Sequence, residues 1–293
     1  MKPAPFLLHR PATVEDAVKL LASVADEGGL VLAGGQSLVP MMALRVVYPP
    51  ALIDINAIPG LDRVVANGAY LSIGATARHA FFHRPSPSAN RLGELLAFVS
   101  RHIAHYPIRL RGTFCGSLAH ADPASEWCLV SVTLGGDVVL IAEGGHRRVL
   151  PVTEFLQGAM VTAREPNELL VEARIPLLAH GATFGFYEFN RRAGDFALGM
   201  CLAAFTFVDG VMSDVRVGLG GIESTARRLT AVEDLLEGRE PSATTFYEAA
   251  AAAHQGLDPM EDAATSAEYR SGLAPVVIRR ALHRAANNLG INV

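Results

Sequence analysis

The chain has 293 residues, half of them hydrophobic and 18% charged, with 25 basic against 29 acidic side chains. That length suits about two domains and sizeable cores. The balance, with no basic block, leaves nucleic-acid binding without its electrostatic footprint. No run approaches the roughly 20 apolar residues of a membrane span, and Met1-Lys2-Pro3-Ala4-Pro5 is not followed by a signal-peptide apolar region, so the chain reads as cytoplasmic. Cys115, Cys128 and Cys201 are odd in number and far apart, which offers neither a disulfide framework nor a CxxC metal site.

In chain order, Thr13 is a candidate N-cap for a helix carrying Val14, Ala17, Leu20, Leu21 and Val24 at helical spacing, with Asp16 at the capping-box position and Gly28-Gly29 as its end. Leu30-Val31-Leu32 reads as a short buried strand. It runs into the glycine-bearing stretch Ala33-Gly34-Gly35-Gln36-Ser37-Leu38-Val39 ahead of Pro40. Ala51–Ile55 is another strand, so residues 1–58 form a small α/β unit.

A second unit spans 59–176. It holds a strand at 70–75, a helix over 91–105, a glycine-bearing loop at 112–123, a helix at 126–134, a hairpin turning at Gly144-Gly145, a short helix at 151–156 and a strand at 168–176. From 177 to 293 the texture changes to strands at 182–189, 199–207 and 215–221, then alanine-rich helix. That order describes an α+β domain with an antiparallel sheet.

There is no Gly-x-Ser-x-Gly elbow, no Walker A sequence and no strict Gly-x-Gly-x-x-Gly fingerprint. Cys115 with His120 lacks a group to orient the base. His79-x-x-x-His83 and His102-x-x-His105 lack a companion ligand at metal spacing and read as surface or hydrogen-bonded histidines. What remains is two glycine-bearing stretches. Successive amides in such turns form nests suited to phosphate oxygens, and each alone is also an ordinary surface turn.

Together these stretches carry a resemblance. Ala33-Gly34-Gly35-Gln36-Ser37-Leu38-Val39-Pro40-Met41-Met42 resembles the first FAD diphosphate loop of the medium subunits of molybdenum hydroxylases, the family of carbon monoxide dehydrogenase, quinoline oxidoreductase and xanthine dehydrogenase. Arg111-Gly112-Thr113-Phe114-Cys115-Gly116-Ser117-Leu118-Ala119-His120-Ala121-Asp122-Pro123 resembles the second loop, and Arg191-Arg192-Ala193-Gly194-Asp195 a segment of the third domain. The likeness covers essentially the whole chain in order.

It implies two α/β subdomains with FAD between them, a vanillyl-alcohol-oxidase-like FAD domain, followed by the smaller α+β domain. It implies that Val31, Leu32, Ala33, Gly34, Gly35, Gln36, Ser37, Leu38 and Val39 with Thr113, Gly116 and Ser117 hold the diphosphate. Ile103, Ala104, Leu170 and Tyr187 would line the flavin, Glu126 would contact FAD, and Asp122 would serve the site or its own turn. Tyr187 stands where the xanthine dehydrogenase branch has Lys. Cys115 stands where the family usually has Gly, so its side chain is expected to crowd a phosphate-facing backbone unless φ there is ordinary.

The resemblance further implies an electron-transfer subunit of a heterohexamer. Its partners would be a small subunit with [2Fe–2S] clusters and a large molybdopterin subunit, and an external acceptor would receive the electrons. A redox-inactive nucleotide-binding or structural subunit and a stand-alone flavin oxidoreductase are the alternatives. Substrate and acceptor stay open.

Overall fold

The computed structural model describes residues 2–254, 256–263 and 265–291. Met1 and Val293, the outer limits of the first and third expected segments, lie outside the described residues.

Strands β1 (Leu7–His9), β2 (Leu30–Leu32) and β3 (Ala51–Asp54) form a parallel sheet in the order β1-β3-β2. Helix α1 (Val14–Val24) starts at Thr13, whose hydroxyl accepts the Asp16 amide at 3.0 Å and satisfies one of the unpaired donors of the first turn. Its apolar face, Ala17, Val18 and Leu21, packs on Ile53 and Ile55. Helix α2 (Leu38–Ala43) begins directly after the first glycine stretch, with Pro40 in its first turn, where a missing N–H leaves no ladder bond unmade.

The second unit is an antiparallel sheet in the order β4-β5-β10-β6-β7. Its strands are β4 (Val64–Asn67), β5 (Tyr70–Gly74), β6 (Asp137–Ile141), β7 (Arg147–Pro151) and, beyond the small hairpin β8 (Leu156–Gly158) and β9 (Val161–Thr162), β10 (Leu169–Pro176). Helices α3 (Asn90–Ser100), α4 (Tyr106–Arg109), α5 (Phe114–His120), α6 (Glu126–Leu134) and α7 (Val152–Phe155) lie between its strands in sequence. Leu170, Phe114 and Trp127 belong to the large core on one face, whereas Leu169, Val171 and Val139 join the α1 core on the other. The two-residue alternation of β10 thus ties the first two units together.

The stretch 112–123, expected as a loop, is mostly helix α5. Thr113 caps it, its hydroxyl accepting the Gly116 amide at 3.0 Å, and Ala121 ends it in the left-handed conformation at φ 54°. Small residues and a glycine hid a helix whose start is a side-chain cap.

The third unit is an antiparallel sheet of β11 (Ala182–Phe189), β12 (Gly199–Val208), β13 (Val211–Gly220) and β14 (Arg227–Arg228), covered by α8 (Thr230–Leu236), α9 (Ala243–Ala252) and α10 (Ala267–Asn287). Helix α10 lies directly on β11: a methyl group on Gly185 would fall 2.0 Å from the Ala281 carbonyl oxygen. Thr183 donates its hydroxyl proton to the Ala285 carbonyl at 2.7 Å beside that contact. The Pro123 carbonyl accepts the Gly221 amide at 2.9 Å, joining the α5–α6 turn to the end of β13.

Candidate functional site

All three units contribute to one cleft of about 400 Å³. The first glycine stretch forms one wall. Gly35 sits at φ +73°, a conformation that suits glycine. The carbonyls around it are occupied: the Gly35 oxygen accepts the Val39 amide at 3.0 Å and the Gly34 oxygen accepts the Gln36 side-chain amide at 3.1 Å. Among the described residues, the amides of residues 34–38 meet no protein acceptor. Five successive unpaired donors beside a cleft form a nest for an anion.

The opposite wall is the start of α5. Thr113, Gly116, Ser117 and Asp122 line the cleft with Cys115 and His120. Asp122 also shapes its own turn, its carboxylate accepting the Ala124 amide at 2.8 Å. Cys115 does not crowd this wall. It lies in the first turn of α5, is absent from the positive-φ residues, and points its thiol to the Ile73 carbonyl at 3.4 Å. Burial raises its pKa well above that of a free thiol, so the reactive thiolate is disfavoured.

Apolar surface completes the cleft. Ile103, Ala104 and Leu170 line it. Arg109 fixes the first two by donating to the Ile103 and Ala104 carbonyls at 2.6 and 2.7 Å, and Ala104 takes φ +40°. Phe196, 74% exposed, overhangs from the segment after Asp195.

Two of the expected positions lie off the cleft. Val39 is on α2, half exposed, and does not line it. Tyr187 faces the other side of the third sheet. It packs against the α9–α10 core, and the guanidinium carbons of Arg280 and Arg284 each stand 4.8 Å from its ring centroid. Successive strand residues point to opposite faces, and its neighbours Phe186 and Glu188 take the inner side. The other fourteen positions, with Asp122 and Glu126, line the cleft.

Three further groups escape sequence reading. His79 is buried, and its Nδ1 accepts the Trp127 indole proton at 2.9 Å. Burial, with nearby Arg78, lowers its pKa to about 3. It is therefore neutral, with Nδ1 accepting and the ring proton on Nε2, and the residue lines the cleft. Arg164 also lines the cleft. Glu188 lies close enough to Glu126 for the two carboxyls to interact. Burial first, then this repulsion, holds Glu126 well above the usual carboxylate range. Burial raises Glu188 too, against a 2.8 Å hydrogen bond from the Asn190 side-chain amide. His79 stood out only in a His-x-x-x-His spacing weighed for metal, and Arg164 and Glu188 had no spacing that marked them. Among the described residues no group of three His, Cys, Asp or Glu side chains is placed to hold a metal ion.

An anion nest facing an apolar slot suits a ligand with a diphosphate and a flat ring system. Residues 4–178 match the family described as FAD binding domain in molybdopterin dehydrogenase, and 184–285 match the CO dehydrogenase flavoprotein C-terminal domain. The chain belongs to this family of FAD-binding medium subunits of molybdenum hydroxylases, which are components of oxidoreductases. The nicotine 6-hydroxylase medium subunit of Paenarthrobacter nicotinovorans is 38% identical over 275 residues, covering 94% of this chain and 95% of that one. Carbon monoxide dehydrogenase from Hydrogenophaga pseudoflava superposes with a TM-score of 0.92 at 34% identity, over 98% of this chain and 99% of that one. Quinoline 2-oxidoreductase from Pseudomonas putida 86 gives 0.91 at 34% identity, with the same coverage.

Proposed function

We propose that this chain is the electron-transfer subunit of a molybdenum hydroxylase. It would receive electrons from [2Fe–2S] clusters on a small partner subunit and deliver them through FAD to an external acceptor, while a large subunit holds molybdopterin. FAD supplies the redox chemistry when bound; the protein holds it and tunes it. The run of unpaired amides at 34–38 carries this reading, since it offers donors to a diphosphate without any charged side chain. Thr113, Gly116 and Ser117 would close on the diphosphate from the other side. Ile103, Ala104 and Leu170 would enclose the ring, Phe196 would shield it at the mouth, and Glu126 with Glu188 would hold a proton beside it. His79 would donate from Nε2.

Two observations favour a subunit over a free-standing enzyme. Relatives named for nicotine, carbon monoxide and quinoline match nearly the full chain at similar identity, which suggests that substrate choice lies on another chain. Leu7, Leu44, Val46 and Tyr48 of the first unit are each more than 60% exposed, and exposed apolar surface of this kind marks partner contact. A heterohexamer in the cytoplasm is the assembly this reading carries. Among the described residues no helix is long and apolar enough to cross a membrane.

The test is anaerobic mixing of the FAD-loaded complex with substrate while iron–sulfur and flavin absorbance are followed separately. Cluster reduction followed by flavin bleaching is expected. Clusters that reduce while the flavin stays oxidised would overturn the electron-transfer reading.

A further inference from the structure

The two glycine-bearing stretches come from different units, so something must set their distance. Residues 77–79 run antiparallel beside 112–114: the His79 amide donates to the Gly112 carbonyl and the Phe114 amide to the Ala77 carbonyl, both at 3.0 Å. Arg78 sits at the centre of this bridge, half-buried, and its guanidinium reaches both ways. One nitrogen donates to the Arg111 carbonyl and another to the Asn56 side-chain oxygen. The Asn56 amide nitrogen in turn donates to the Ala33 carbonyl at 2.9 Å and to Asp54 Oδ1 at 2.6 Å. A single relay therefore runs from Arg111 through Arg78 and Asn56 to Ala33.

This relay lies behind the cleft. Arg78 and Asn56 line a separate polar hollow and not the cleft itself, whereas Ala33 and Gly34 line the cleft. In a trans peptide the carbonyl and the following N–H point in opposite directions. Holding the Ala33 oxygen on the far side aims the Gly34 amide away from Asn56. The guanidinium fork can hold two carbonyl-type oxygens in fixed directions, which an ammonium cannot do. Arg78 keeps its place despite desolvation and the nearby charge of Arg111, both of which lower its pKa.

We propose that Arg78 is a positioning residue that, through Asn56, locks both loops into one preassembled clamp for the FAD diphosphate. The proposal rests on the reading of these loops as the diphosphate site. Its benefit is preorganisation: a ligand that meets ordered donors need not order them on binding.

The test uses the full chain with its flavin removed and compares the parent with Arg78→Ala, Arg78→Lys, Asn56→Ala and the double Arg78→Ala/Asn56→Ala variant. Hydrogen exchange at the Val39 and Met41 amides, which are bonded to the loop's Gly35 and Ser37 carbonyls, is measured without FAD, and FAD affinity is measured by titration. Arg78→Ala is expected to speed exchange there and to weaken FAD about 10-fold or more. Arg78→Lys is expected not to rescue it, and the double variant to be no weaker than Arg78→Ala, because both residues act through one relay. Unchanged exchange in Arg78→Ala would overturn the proposal. Faster exchange with unchanged FAD affinity would overturn it too, and would place the fault in the diphosphate reading rather than in the relay. If Arg78→Ala does not fold, Asn56→Ala reads the same two quantities at the other end.

Discussion

Gly34 and Gly112 meet backbone to backbone. A methyl group on Gly34 would stand 2.7 Å from the Gly112 Cα and 2.5 Å from the Arg111 carbonyl oxygen. The neighbours are main chain and cannot swing aside as a flexible side chain would. Gly34→Ala is therefore expected to separate the two cleft walls and weaken FAD by about 10–100-fold, because a misplacement near 1 Å forfeits oriented contacts. An FAD titration of the variant checks this. Parent-like affinity would show that the loop spacing does not set binding.

At the next residue the constraint is conformational. Gly35 has φ +73°, and a Cβ there would lie 3.2 Å from both Leu32 Cδ1 and Val39 Cγ2. A β-branched residue is poorly tolerated in that region. Gly35→Val should abolish FAD retention on purification. Unchanged flavin content would remove this turn from the diphosphate site.

The Glu126–Glu188 pair gives the flavin-free chain a pH dependence. Both carboxyls are raised by burial and Glu126 also by Glu188, while Asp122 adds to the rise and Arg109 opposes it. A raised carboxyl binds its proton more tightly folded than unfolded. Its contribution is thus fully present below the ordinary carboxylate range and is lost as pH climbs through the raised folded value. Glu126→Gln should flatten that loss, so that its thermal midpoint relative to the parent rises with pH by about 2–4 °C. Parallel midpoint curves for parent and variant would contradict the pairing.

Cys115, Cys128 and Cys201 are all free and buried. Burial raises each thiol, Cys128 to about 12 and the other two further. Iodoacetamide should label none of them in the folded chain at neutral pH and all three after denaturation. Rapid native labelling of Cys115 would contradict its burial against Ile73.

Arg270, 2% exposed, is held by Asp262 and by the Leu198 carbonyl at 2.8 Å, with the Gly221 carbonyl as a third acceptor. Arg270→Met takes this donor from the Leu198 and Gly221 carbonyl oxygens. It should cost about 3 kcal/mol in urea unfolding, and a loss below about 0.5 kcal/mol would show the network to be dispensable.

Sequence reading reached the elements whose cause is local. Thr13 announces α1 because its hydroxyl caps it, and the alternation of 182–189 announces β11. The three motif stretches pointed to the family because they occur together in its order, and in the first of them Gly34 and Gly35 are demanded by a close backbone approach and a positive φ. Reading stopped where tertiary packing decides. Period-two alternation says that Tyr187 and Glu188 face opposite ways, but only α10 lying on Gly185 settles which one turns inward. Likewise nothing in Gly34 or Gly112 alone tells that their backbones touch. Thr113 looked like part of a loop because its capping partner, Gly116, is a residue usually taken for a turn.

The central claim, one FAD held in this cleft, has an internal reporter. Trp127 is the sole tryptophan, is buried, and donates to His79 at the cleft wall. Titrating FAD into the flavin-free chain should quench Trp127 fluorescence saturably, with an end point of one FAD per chain, and Gly35→Val should abolish the quenching. Absence of saturable quenching in the parent, together with no retained flavin absorbance, would contradict the account.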